Sequence, residues 1–232
     1  MEKCNKNKNF TVVVAGYDTS IIGEFQTNFV KLSFLKEYGF STPEMQGLPI
    51  AGEYRQFAPV RLVTKNNHGL NILVDFAQKK LVLAQEGYMS EKFDYNQRLT
   101  EILTKLLDLS IPIKISALGL NFQEDEIKDS RLCLFNSNIE KQLTKELWDT
   151  NIGFKSEIIF DKKEYKMTYR IYKNDTLQLQ EPEQRCYTID SNFNFDLKDV
   201  DNKLSKISEI MSNIETYYNE YLKVKQNIVD LK

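Results

Sequence analysis

Residues 185–197 read RCYTIDSNFNFDL, and the alternation in this stretch decides the fold class. Tyr187, Ile189, Phe193, Phe195 and Leu197 fall on one side of an extended chain. Thr188, Asp190, Asn192, Asn194 and Asp196 fall on the other. A period of two with an apolar and a polar side marks a strand with one face in a core and the other in solvent. Antiparallel sheets allow that arrangement, whereas parallel sheets are covered on both faces.

Similar strands are predicted upstream. FTVVVA (10–15), APVRLVT (58–64), LNILVDF (70–76) and KLVLAQ (80–85) are rich in β-branched residues, with turns at NNHG (66–69) and at Gln78 and Lys79. A hairpin is expected from FKSEIIF (154–160) through DKKE to YKMTYRIY (165–172), and LQLQ (177–180) reads as a short edge strand. In IKISALGLNF (113–122), Ile113 and Ile115 have the opposite parity to Leu118, Leu120 and Phe122, which predicts a bulge near Ser116 and Ala117. STPEMQGLPIAGEY (41–54) and EDEIKDS (124–130) read as loops.

Helical spacing appears in four places. Ile22, Phe25, Phe29 and Leu32 follow the capping residues Asp18, Thr19 and Ser20. Leu99, Ile102, Leu103, Leu106 and Leu107 end before Pro112, and Ile139, Leu143 and Leu147 follow Ser137 and Asn138. The longest pattern contains LSKISEIMSNIETYYNEYL (204–222). Its Val200, Leu204, Ile207, Met211, Ile214, Tyr218 and Tyr221 form a heptad seam, with Lys225 as a polar break. One helix over 200–231 would span about 48 Å, long enough to overhang a compact lobe. Such a helix serves either its own sheet or another chain. The expected fold is α+β, mainly antiparallel sheet in two similar helix–hairpin–strand halves, closed by a long C-terminal helix. It forms a single domain, whose lobes would be 10–135 and 136–232.

The chain has 232 residues, 41% hydrophobic and 12% aromatic, enough for a sizeable core, and a formal charge of −2. That balance exerts no global pull on nucleic acid or anionic membrane. Cys4, Cys133 and Cys186 form no CxxC pair and read as reduced thiols. Residues 1–9 lack an apolar signal-peptide core, and no apolar run approaches the ~20 residues that cross a bilayer. A cytoplasmic protein is expected.

No GxxxxGK[ST], GxGxxG, HExxH or GxSxG motif occurs. His68, the single histidine, sits in a turn and reads as solvated. No catalytic residue, metal ligand or cofactor is assigned. Tyr217, Tyr218, Tyr221 and Leu222 are expected to anchor a protein partner or a homo-oligomer, because tyrosine combines contact area with a polar tip. The leading expectation is therefore a non-catalytic interaction or assembly subunit. A nucleic-acid-binding module is the first alternative. Lys166, Thr168, Arg170 and Tyr172 share a strand face which, with Lys162 and Lys163, could follow a phosphate backbone and stack on a base. A divergent metal-dependent nuclease is the second, since Asp161 precedes Glu164-Tyr165-Lys166. The charged tip of a hairpin accounts for the same residues.

Three segments carry a family likeness: FDYNQRL (93–99), IPIKISALGLNF (111–122), and YTIDSNFNFDL (187–197) ahead of a long aromatic helix. Over most of 57–229 the chain resembles a sporadically distributed prokaryotic family of uncharacterised proteins of about this length. The resemblance implies no activity and no catalytic residue. A patchy prokaryotic distribution implies service in bacterial or phage conflict systems, such as anti-phage defence.

Overall fold

β-branched and aromatic residues at alternate positions make strands whose inward side chains must be covered, and the chain meets that demand with one large sheet. A computed structural model describes residues 8–19, 28–29, 31, 33–49, 57–86, 94–129, 155–180 and 184–228. Among these residues the strands are β1 (Lys8–Ala15), β2 (Glu44–Pro49), β3 (Phe57–Lys65), β4 (Leu70–Asp75), β5 (Lys80–Glu86), β6 (Ala117–Asp129), β7 (Lys155–Asp161), β8 (Lys166–Lys173) and β9 (Gln184–Asp196). They form one sheet in the order β2-β3-β4-β5-β1-β6-β9-β8-β7. Every pairing within it is antiparallel. The helices are α1 (Ser33–Glu37), α2 (Asp94–Leu107), α3 (Asp175–Gln180), α4 (Lys203–Ser212) and α5 (Ile214–Ile228).

The expected layout of two similar helix–hairpin–strand halves is corrected by this topology. A continuous nine-stranded sheet dominates among the described residues, and β6 pairs with β9 from Ala117↔Asp196 to Asp129↔Gln184. The single long terminal helix is corrected as well. It breaks at Asn213, which has φ −105° and ψ 16° and whose amide donates to Ile210 O at 3.0 Å, closing α4 before α5 begins.

Local sequence misleads at four other points. The region read as a loop over 41–54 contains β2, a sheet-edge strand whose register shifts between Gln46 and Gly47. An edge position tolerates the proline and glycine that argued against a strand. The stretch 124–130 largely continues β6. LQLQ lies in α3, since four alternating residues cannot separate strand from helix. The parity slip at Ile113 is not a bulge: Pro112–Lys114 is a 3-10 turn leaving Ile113 77% exposed, and the strand starts at Ala117. The predicted helix residues Ile22, Phe25, Leu32, Ile139, Leu143 and Leu147 lie outside the described residues, as do Cys4 and Cys133.

The core fills one face of the sheet. Phe10, Val12 and Val14 of β1, Leu118, Leu120 and Phe122 of β6, and Tyr187, Ile189, Phe193 and Phe195 of β9 are all buried there. Leu99, Ile102, Leu103 and Leu106 of α2 and Ile207, Ile210 and Met211 of α4 belong to the same cluster. Each large side chain fully withdrawn from water contributes about 1.5–3 kcal/mol.

Two carboxylates pin the turns beside β1 and β4. Asp18 accepts from Lys114 Nζ at 2.7 Å, with Lys79 Nζ at 3.6 Å, and these cations hold its carboxyl below the usual carboxylate range. Burial of Asp75 opposes ionisation, but the Gln78 amide at 2.8 Å and Arg61 at 3.0 Å outweigh it and lower its pKa. Both groups bind protons less readily folded than unfolded. Their stabilisation is therefore complete above the ordinary carboxylate range and is lost as pH falls from that range through the lower folded-state values. Urea midpoints measured against pH should drop below about pH 5, and Asp18→Asn should flatten that slope. A midpoint independent of pH between about 5 and 2 would contradict the assignment.

Candidate functional site: the open face of the sheet

The four residues expected to anchor a partner lie against the chain's own sheet. Tyr217 is 8% exposed and meets the rings of Phe193 and Phe195 at 5.6 and 5.2 Å. Tyr221 is fully buried, stacked on Phe122 at 5.8 Å and Tyr169 at 5.9 Å. Tyr218 and Leu222 are half-buried and pack on the same cluster. Burial, then the charge of Glu124, pushes the Tyr218 hydroxyl up to about 12. Tyr165 joins this aromatic group from the β7–β8 hairpin, and its hydroxyl donates to Glu220. Tyr217 and Tyr221, expected to anchor a partner, are thus buried within the chain's own core. The seam residues Tyr218 and Tyr221 meet Phe122, Tyr217 beside the seam meets Phe193 and Phe195, and α5 turns Glu215, Thr216, Asn219 and Lys223 to solvent.

The other face of the sheet is half-exposed, and its register sorts its residues into rows. In one row Val63, Leu73, Val82 and Val13 stand side by side across β3, β4, β5 and β1, followed by Gly119 and Asn194. The four aliphatic residues are each half-buried. The neighbouring row places Thr11, Asn121, Asn192 and Thr168 in line across β1, β6, β9 and β8. Within it the Asn192 amide donates to Asn121 Oδ1 at 2.6 Å. On the opposite side of the aliphatic row, Arg61 donates to Asp75 at 3.0 Å. Further along, Thr188 and Asn174 donate to Asp125 at 2.8 and 3.0 Å. The face is therefore an aliphatic stripe bordered by ordered polar side chains.

Lys166, Arg170 and Tyr172 share this face, as the alternation of β8 predicts, but they do not make it basic. Arg170 lies 3.7 Å from Asp190, and Lys166 pairs in register with Asp161. Lys162 lies 3.8 Å from Glu220, and Lys163 is exposed at the hairpin tip. Asp161 and Glu164 are exposed there too. Among the described residues no three of His, Cys, Asp and Glu converge as metal ligands would.

The aliphatic stripe escaped the reading of the sequence because each of its members comes from a different strand. Val13, Leu73 and Val82 look like interior residues of apolar strands, and only the register brings them together on the open side. The buried acids Glu124 and Asp125 were missed because their partners are remote in sequence. No helix among the described residues is long and apolar enough to cross a membrane. No family model matches the sequence, and none of the curated proteins matches it either.

Proposed function

We propose that the chain is a non-catalytic assembly subunit, docking through the open face of its sheet and taking a second copy of itself as the occupant. The observation that carries this reading is the stripe Val63–Leu73–Val82–Val13 with its polar border. An apolar centre inside a hydrogen-bonding rim is the anatomy of protein interfaces. Cations on the face sit beside acids: Arg61 by Asp75, Arg170 by Asp190. A surface carrying both signs can meet its own two-fold copy, whereas a polyanion would face as much repulsion as attraction. On this reading the protein works in the cytoplasm, within a bacterial or phage conflict assembly as the family resemblance implies.

Light scattering on the full chain should give about twice the 27.2 kDa chain mass. Leu73→Arg and Val82→Arg should each return the mass to that of one chain with an unchanged far-ultraviolet circular dichroism spectrum, because a long arginine stem can still lie along the neighbouring aliphatic side chains. An invariant dimer in both variants, or a monomer throughout, would overturn the proposal. The nucleic-acid alternative retains one supporting observation, the shared face of Lys166, Arg170 and Tyr172. Oligonucleotide binding that weakens steeply with salt and is lost on Lys166→Gln and Arg170→Gln would replace the assembly reading with that one.

A further inference from the structure

On the helix-covered side of the sheet, a cavity of about 410 Å³ opens between α1, the turn joining β3 to β4, and α2. That volume lies within the range of small-molecule sites. Leu70, Leu99 and Ile102 form its floor and are 4%, 2% and 1% exposed. Lys36, His68 and Arg98 stand exposed at its rim. The wall carrying His68 is ordered by hydrogen bonds. Gln85 Nε2 donates to His68 O at 2.8 Å, and Asn66 Oδ1 accepts from the His68 and Leu70 amides at 2.9 and 2.8 Å. Asn66 Nδ2 ties the same turn to Tyr38 O at 3.3 Å.

The charges at the rim are unevenly engaged. Tyr38 donates its hydroxyl to Glu101 at 2.5 Å, which occupies the neighbouring carboxylate. Glu37 also borders the cavity. Among the described residues neither Lys36 nor Arg98 has a carboxylate within ion-pair distance. Two cations above an aliphatic floor match a molecule with an acidic end and an apolar or aromatic body. Arginine binds carboxylate and phosphate alike through its planar fork.

We propose that this cavity is a binding site for a small organic acid, a carboxylate or a phosphate ester on an apolar or aromatic body. Lys36 and Arg98 hold the acid group, and Leu70, Leu99 and Ile102 receive the body. The site is separate from the open sheet face and does not depend on the assembly reading.

Amide NMR titrations of the full chain with phenylacetate and with phenyl phosphate test this, and benzyl alcohol serves as the neutral control. At least one acid should give saturable shifts centred on the amides of Gly39, Gly69 and Gln85. The tighter of the two identifies the acid group preferred. Benzyl alcohol should bind about tenfold or more weakly, and K36Q and R98Q should each weaken the acid by about tenfold, with the rest of the spectrum unchanged. The proposal is overturned if neither acid gives saturable shifts or if the shifts centre elsewhere. It is equally overturned if the alcohol binds as tightly as the acids or if both variants bind like the parent chain.

Discussion

Alanine at Gly16 is expected to cost the fold about 3 kcal/mol or more. Gly16 ends β1 with φ +78°, a conformation a side-chain-bearing residue adopts at a cost of about 1–2 kcal/mol. An added Cβ would also lie 2.1 Å from Lys114 O and 2.9 Å from Ser116 N. Both are backbone atoms, and the backbone around them has little room to retreat. Ser116 N donates to Ala15 O at 2.9 Å, Tyr17 N to Lys79 O at 2.8 Å, and Ile111 N to Asp18 O at 3.0 Å. The thermal midpoint should fall on the order of 10 °C. Gly119→Ala supplies the contrast. Its Cβ would meet Asn192 Nδ2 at 3.6 Å and Val13 Cβ at 3.7 Å, ordinary contacts, so that variant should stay close to the parent. Equal losses from the two substitutions would contradict the geometry.

The second large effect is expected at Lys225. Its ammonium reaches Glu124 Oε2 at 2.5 Å, and the two residues are 6% and 3% exposed. Lys8 Nζ at 3.7 Å and the Tyr218 hydroxyl at 3.5 Å add only weak support to the carboxylate. Removing one partner leaves a charge stranded beneath α5, so Lys225→Met should cost about 3–5 kcal/mol in urea unfolding. Removing both charges takes the stranded ion away. Glu124→Leu with Lys225→Met should recover most of that loss, because aliphatic pairs of similar volume often replace buried ion pairs at little cost. A double variant as unstable as the sum of the two singles would show that the ions act separately.

Lys225 also illustrates how much of the fold could be read in advance. It interrupts the heptad seam, so the sequence marks it as anomalous, but Glu124 lies 101 positions away and nothing local connects the two. The same holds for Asp125, whose partner Thr188 is 63 positions distant. A run such as EDEIKD reads as solvated wherever its counter-charges cannot be seen, so from sequence alone the far half of β6 looks like a loop. Where one face is plainly apolar the reading succeeds. Tyr187, Ile189, Phe193, Phe195 and Leu197 are all buried, as their alternation in RCYTIDSNFNFDL requires. The apolar stripe of the C-terminal segment was equally visible. What it could not state was its target, since an apolar face on a helix is the same whether it meets its own sheet or another chain.

That ambiguity bears directly on function. The aromatic side of α5 is occupied by Phe122, Phe193 and Phe195, and the assembly surface we propose is therefore built from residues that individually look unremarkable: Val13, Val63, Leu73 and Val82. Their effect depends on register alone. A one-residue slip of β4 would turn Leu73 inward and break the stripe.

The most direct measurement is isotope-filtered NMR on a mixture of labelled and unlabelled chains. The account predicts intermolecular contacts from the methyl groups of Val13, Val63, Leu73 and Val82, with none from Tyr218 or Leu222. Intermolecular contacts confined to α5, or none at any concentration at which the chain remains soluble, would contradict it.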